Sequence, residues 1–348
     1  MKINQNFVHL RSRSSYSLAE GAIKINDLID LAVANNMPAL TLTDNGNLFG
    51  ALEFSIAAVK KGIQPIIGSI IDLEILEADC GKNIKTILNP KIVLIAQNET
   101  GWKNLSILVT KSFLDSDDSN QRPLKLKEIF QYSRGLICLL GGVYGPVGYF
   151  LLKNNYDEAH KVSNLFKNNF HDRVFMEIMR HDLEEEKVTE NSFVSISSDL
   201  DIPLVATNNI YFNKASMYEA HDCLMCISQG VTLSNPERFR INNSHYFKSI
   251  TEMVDIFSDI PVAIDNSILI AKKCSLLLEE CAPSLPSYPK NITTSEHEVL
   301  IKDAELGLSK RLGDNASSIN SSVNNVYLDR LKYELNTIEK MGFSGYFL

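Results

Sequence analysis

Between residues 8 and 209 short apolar runs recur, each separated from the next by a longer stretch with helical patterning. Strand-length apolar runs alternating with helix-length segments are what a (β/α) fold with a parallel sheet requires, because the returning helices bury each strand on both faces. The runs are Val8 to Leu10, Ala39 to Asp44, Pro65 to Leu73, Ile92 to Gln97, Gly135 to Gly142, Val174 to Met179 and Pro203 to Asn208. Seven such units favour a barrel over an open sheet. Helical spacing is clear in Ile25 to Asn36 and in Leu48 to Lys61, where Leu52, Ile56 and Val59 share one face and Gly62 ends the run.

After Asn209 the pattern turns mainly helical, over Ala215 to Ser228, Ile250 to Phe257 and Val262 to Leu278. The stretch CAPSLPSYPK then places three prolines within seven residues, which marks a boundary. The expected division is a first domain over 1–280 (barrel core about 1–212, helical extension 213–280), a Pro-rich linker over 281–290, and a second piece over 291–348. That piece is expected to hold an amphipathic helix from Glu296 to Arg311, a polar loop GDNASSINSSVNN, and a helix carrying Leu328, Leu331, Leu335 and Ile338. The closing MGFSGYFL is apolar and has no polar cap, so a cut inside a core element is expected there.

Composition narrows the function classes. No run of about 18 apolar residues exists to span a membrane, and MKINQNFVHLRS lacks the apolar core of a signal peptide, so a cytoplasmic protein is expected. The six cysteines are scattered rather than framed, which in a chain of this size reads as reduced thiols. A net charge of −8 argues against a chain that wraps nucleic acid over its whole surface, while leaving room for one basic face.

Reactive groups of (β/α) barrels sit at the carboxyl ends of the strands. Here those places hold Arg11 and Arg13, Asp44 and Asn45, Gly68 to Ile70, Gly141 and Gly142, and Asn209 and Tyr211. A hydrolytic metal centre needs several His and carboxylate groups converging on each ion, and this rim supplies scarcely any. Cys223 and Cys226 form a lone C-x-x-C beside His221, better read as helix core than as a zinc knuckle. LLGGVYG reads as a tight strand-to-helix turn rather than a phosphate cradle, and DSDDSN, with Asp115 and Asp117, as a solvated loop rather than a calcium site. His181, close to Glu177, is a general-base candidate with no nucleophile near it in sequence.

The segments FVHLRSRSSYSLAEGA, MPALTLTDNGNLFGALEF, GIQPIIGS, NETGWKNL and PLVATNNIYF resemble, in order and spacing, the PHP domain of bacterial DNA polymerase III alpha subunits, the C-family replicative polymerases. HDCLMCISQG, HYFKSITEM and YELNTIEKMGFSGYFL look like the segments that lead from that domain into the palm. The resemblance implies an α/β chain: a distorted (β/α)7 PHP barrel, a mainly helical segment and the truncated start of a polymerase palm. It implies template-directed DNA synthesis by the parent protein, with this stretch inactive alone.

In relatives with an intact PHP site, nine ligands hold a cluster of metal ions. Matched position by position, those places fall here on Arg11, Arg13, Glu20, Asn45, Ile70, Lys91, Gly142, Asn209 and Tyr211, and only Glu20 keeps the family's residue. The resemblance therefore implies a vestigial cleft without metal, and Glu20 is expected to pair with Arg11 or Arg13. The magnesium-binding aspartates of the polymerase would lie beyond the position matching Leu348, so no catalytic, cofactor or metal residue is assigned here. Implied partners are the epsilon proofreading exonuclease, primer-template DNA, and, through later regions, the other holoenzyme subunits and the sliding clamp, with no membrane. The alternatives are a stand-alone PHP-type metal-dependent phosphoesterase, a protein-binding module, and a translesion paralogue.

Overall fold

The computed structural model describes residues 7–74, 89–114, 122–283, 288, 295–313 and 321–348. Two compact units emerge, Met1–Glu279 and Glu280–Leu348. The first runs α1 (Ile25–Ala34), β1 (Ala39–Asn45), α2 (Ala51–Lys60), β2 (Gln64–Glu74), β3 (Lys91–Ala96), α3 (Glu99–Leu114), β4 (Leu124–Lys125), α4 (Leu126–Gln131), β5 (Leu136–Leu139), α5 (Pro146–Leu152), α6 (Tyr156–Phe170), β6 (Val174–Ile178), α7 (Glu184–Leu200), β7 (Leu204–Ala206), α8 (Tyr218–Gln229), α9 (Ile250–Ile256) and α10 (Pro261–Lys273).

The strands order as β1-β2-β3-β5-β6-β7, with the two-residue β4 pairing β2 off this path. The sheet curls toward a barrel, with an apolar interior at alternate positions: Ile66 and Ile70 of β2, Val93 and Ile95 of β3, Ile137 and Leu139 of β5, and Phe175 of β6. The intervening Ile67, Ile71, Leu94 and Cys138 pack outward in the larger core under the helices. Gly68 lies between the two inward isoleucines, where a Cβ would meet the Leu94 carbonyl at 2.7 Å.

The sheet is not wholly parallel. β1–β2, β5–β6 and β6–β7 are parallel, but β3 runs antiparallel to both β2 and β5, with Asp72 opposite Lys91. A strand buried on both faces is apolar along its whole length whichever way it runs, so its sequence carries no sign of direction.

The expected first strand, Val8 to Leu10, forms no ladder. Its backbone instead accepts from Thr41 N–H at His9 O (3.1 Å) and from Thr43 N–H at Ser12 O (2.8 Å), while Ile210 N–H reaches Arg11 O (3.3 Å). Thr43 Oγ1 accepts from Ser12 N–H at 3.0 Å, and Ser12 bridges Ile210 in parallel. This irregular segment joins β1 to the chain beyond β7, the side-chain bond standing in for a ladder bond.

In α2 the buried residues are Ala51, Phe54, Ser55 and Ala58, whereas Leu52 and Val59, on the face expected to be inward, are exposed. Small side chains one and two turns apart let the helix lie close to the sheet, and closeness wins over side-chain hydropathy. The helix expected from Val262 to Leu278 stops at Lys273, because competing bonds draw the following residues onto the barrel: Ser275 N–H to Gln97 O (2.7 Å) and Leu278 N–H to Ser55 Oγ (3.0 Å). The glycines of LLGGVYG do form a tight turn, Gly141 and Gly142 having φ of 75° and 54° before α5 opens on Pro146.

The second unit holds α11 (Glu296–Gly313), α12 (Ser321–Lys340) and α13 (Ser344–Phe347). Leu300 and Leu335 are its buried apolar residues, and His297 Nε2 meets the Glu339 carboxylate at 3.2 Å. Residues 321–325, expected in the polar loop, begin α12, since polarity alone does not separate an exposed helix from a loop. The Asp115–Asp117 loop, residues 314–320, Cys80 and most of the Pro-rich stretch lie outside the described residues. Among the described residues, no helix is long and apolar enough to cross a membrane.

Candidate functional site

The carboxyl ends of the parallel strands and the amino end of antiparallel β3 share one rim. Asn45 ends β1, Gly142 follows β5, Glu177 lies near the end of β6 and Asn209 follows β7. Lys91 reaches the same rim because β3 is reversed. Arg11, Arg13, Lys91, Tyr144, Asn209 and Tyr211 line a cavity of about 190 Å³ there.

The two arginines are fully buried, and each finds partners in that state. Arg11 Nη1 donates to Glu177 Oε2 at 3.1 Å, the side chains being 1% and 0% exposed. Glu177 Oε1 also accepts from Thr207 Oγ1 at 2.6 Å. Arg13 Nε donates to Asn45 Oδ1 (3.3 Å), its Nη1 donates to Asn209 Oδ1, and its guanidinium lies 4.1 Å from the centre of the Tyr211 ring. Glu20 Oε2 accepts from Asn45 Nδ2 and stands 3.8 Å from Arg13 Nε. Of the two pairings expected for Glu20, the structure forms the one with Arg13; Arg11 takes Glu177 instead.

Lys91 pairs with Asp72 across the β2–β3 ladder. Ile70 is part of the apolar interior below the rim. Gly142 holds a left-handed backbone in which a Cβ would come 3.1 Å from Met179 Cε.

Sequence reading misses the support behind these groups. His181 is 1% exposed and works as a strut rather than as a base. Its Nδ1 faces Glu186 Oε1 at 2.7 Å, and its Nε2 accepts from Asn209 N–H at 3.2 Å. Nε2 also lies 3.0 Å from Asn208 Oδ1, so both ring nitrogens are engaged and the imidazole is fixed in place. The ring stacks on His245 at 4.1 Å, and burial together with the nearby His181 depresses the His245 pKa to about 2. Lys248 Nζ donates to Asn208 Oδ1 at 2.9 Å, and burial lowers its pKa to about 8. Burial also raises the Tyr144 hydroxyl to about 12, so it stays a neutral donor at the cavity wall. Burial, and then Glu177, push the Cys138 thiol well above its ordinary value, which removes it as a nucleophile.

His221 and the C-x-x-C do not converge. His221 Nε2 faces the Glu20 carbonyl at 2.7 Å and ties α8 to the loop bearing Glu20; Cys226 is buried and Cys223 exposed.

A multinuclear metal site does not fit this donor set. The oxygens nearest the family's ligand positions, those of Asn45, Asn209 and Glu20, accept from Arg13 or from one another, and two guanidinium groups stand where imidazoles would bind cations. Among the described residues no three His, Cys, Asp or Glu side chains are grouped to hold an ion.

The curled sheet and its rim define a PHP barrel, and a family model described as "PHP domain" matches residues 9–181. Along nearly its whole length the chain is similar to DNA polymerase III alpha subunits. It is 41% identical over 351 residues to DNA polymerase III subunit alpha of Rickettsia felis, covering 98% of this chain and 28% of that protein. It is likewise 41% identical over 344 residues to that of Caulobacter vibrioides, covering 99% of this chain and 30% of the relative. The chain thus spans under a third of the length of these relatives. Among solved structures it is similar to an amidohydrolase from Chromobacterium violaceum, with TM-score 0.40 and 12% identity, over 59% of this chain and 87% of that one.

Proposed function

We propose that this chain is the PHP-bearing portion of a DNA polymerase III alpha subunit, with residues 1–280 as the PHP domain and 291–348 as the start of the palm. The parent protein carries out template-directed, magnesium-dependent DNA synthesis on primer-template DNA, alongside other holoenzyme subunits and the sliding clamp. In this portion the barrel is a metal-free scaffold that docks the epsilon proofreading exonuclease. The identity to polymerase subunits over nearly the whole chain supports the parentage. The observation that carries the scaffold reading is the buried Arg11–Glu177 pair, which sets a fixed cation in the wall of the cleft with its own counter-charge behind it.

The test combines metal analysis of the purified chain with gel filtration beside its cognate exonuclease subunit. Co-elution of metal-poor protein with the exonuclease is the expected result. Stoichiometric zinc or manganese together with turnover of a chromogenic phosphoester would instead establish the stand-alone phosphoesterase.

A further inference from the structure

Helix α2 carries apolar side chains on two faces. Ala51, Phe54, Ser55 and Ala58 are buried against the barrel, while Leu52, Ile56 and Val59 form a second line, spaced so that they stand one above another along the helix. Leu52 and Val59 are 41% and 48% exposed, Ile56 is half-buried, and Phe49, one turn ahead of Leu52, is 63% exposed. Scattered surface hydrophobes need no partner, but a line in helical register is a seam of the kind that a second helix covers. The chain itself closes both borders. Lys61 pairs with Asp30 of α1 on one side. On the other, Ser55 Oγ accepts from Leu278 N–H at 3.0 Å and donates to Leu278 O at 2.9 Å, which brings the exposed Leu277 alongside. Glu53 and Lys60 stand two turns apart on one flank of the line. Tyr16 Oη donates to Glu53 Oε2 at 2.9 Å, and Lys60 is exposed with no ion-pair partner among the described residues.

From this pattern we infer that the outer face of α2 is a self-association surface, on which α2 of a second copy of the chain lies antiparallel about a two-fold axis near Ile56. The charges give the direction. Turned about that axis, Glu53 comes beside Lys60 of the partner subunit and Lys60 beside the partner's Glu53, so each copy completes the pairs of the other. A parallel seam would set Glu53 on Glu53 and Lys60 on Lys60, like charges that repel. The apolar line is centred on the same point, with Leu52 turned toward the partner's Val59 and Ile56 toward the partner's Ile56. A patch that complements itself is what a closed two-fold dimer requires. The seam is short, so the association is weak, with a dissociation constant on the order of tens of micromolar.

Sedimentation velocity of the full 348-residue chain, at concentrations from well below to well above that value, tests the surface. The sedimentation coefficient is expected to rise from that of a monomer toward that of a dimer. Leu52→Ser combined with Val59→Ser should weaken association on the order of tenfold. Both side chains are already exposed, so the circular dichroism should stay that of the parent. Glu53→Lys and Lys60→Glu should each associate severalfold more weakly alone, because like charges then oppose across the axis. An equimolar mixture of these two variants should recover the parental affinity, since every pair across the axis is then of opposite sign. A chain that stays monomeric at every concentration overturns the inference. Association that survives the Leu52→Ser, Val59→Ser change puts the contact elsewhere and overturns it too. So do charge variants that fail to recover on mixing, which removes the antiparallel register.

Discussion

Arg11 and Glu177 meet at 3.1 Å with their side chains 1% and 0% exposed. At that depth a charge survives only with its partner, because removing one member leaves the other desolvated and unpaired. Glu177→Met is therefore expected to cost about 3–5 kcal/mol. The double change Arg11→Met, Glu177→Met should recover most of that, since an apolar pair of similar volume needs no counter-charge. Equilibrium urea unfolding of the three proteins measures both. A Glu177→Met variant as stable as the parent would mean that the pair does not hold the cleft together.

Glu20 differs because its side chain is 33% exposed and sits 3.8 Å from Arg13. Solvent and salt screen such a pair, so Glu20→Gln should cost less than about 1 kcal/mol. Glu20→Arg, which sets a second guanidinium beside Arg13, should lower the melting temperature more, and added salt should restore part of the loss. Melting curves at low and high ionic strength decide the point; a charge reversal that leaves the curve in place counts against any Glu20–Arg13 coupling.

The rim could be read from the sequence where its residues end apolar runs. Arg11 and Arg13 follow Val8 to Leu10, and Asn209 and Tyr211 follow Pro203 to Asn208, so their convergence follows from the barrel pattern alone. A signal for the partner of Arg11 was present too, as Glu177 is the lone acid in the apolar run VFMEIM, and a lone buried acid requires a cation. The direction of β3 left no such trace, and with it the reason why Lys91, at the start of a strand, joins groups at the ends of others. Nor did the sequence show His245 and Lys248 behind the rim. They lie more than 60 residues after His181, and only the folded chain stacks those two histidines.

Gly142 stands at φ 54° with Met179 Cε near the place of a Cβ. Any L side chain there adopts a left-handed backbone at a cost of about 1–2 kcal/mol, while the flexible methionine tip can yield. Gly142→Cys, which adds a thiol at the rim, should thus lower stability by about that amount and fail to raise zinc affinity, because Arg11 and Arg13 remain. Thermal unfolding and a zinc titration of the variant test the two halves separately. Tight zinc binding by the single variant would show that the neighbouring cations do not control the site.

Acid should destabilise the fold through two buried histidines. His9 is enclosed by Phe7 and Phe247, with ring centres at 4.9 and 4.5 Å, its Nε2 faces the Lys248 carbonyl at 2.8 Å, and burial lowers its pKa to about 4. His245 is held still lower, at about 2, by burial and by His181. Both rings are neutral in the folded chain, whereas in the unfolded chain each takes up a proton near pH 6.5. Below that pH the unfolded state binds more protons, so stability is full above about pH 6.5 and falls as the pH drops toward 4. At pH 5 the loss is about 2 kcal/mol for each histidine, from about 1.4 kcal/mol per unit of displacement. His9→Asn and His245→Asn should each reduce the change in unfolding free energy between pH 7.5 and 5 by about that amount relative to the parent, whatever their effect at neutral pH. Urea unfolding at the two pH values reads this difference directly, with titrating carboxylates common to all three proteins cancelling. Parallel pH dependence in parent and variants would mean that both rings can be protonated in the folded chain without cost.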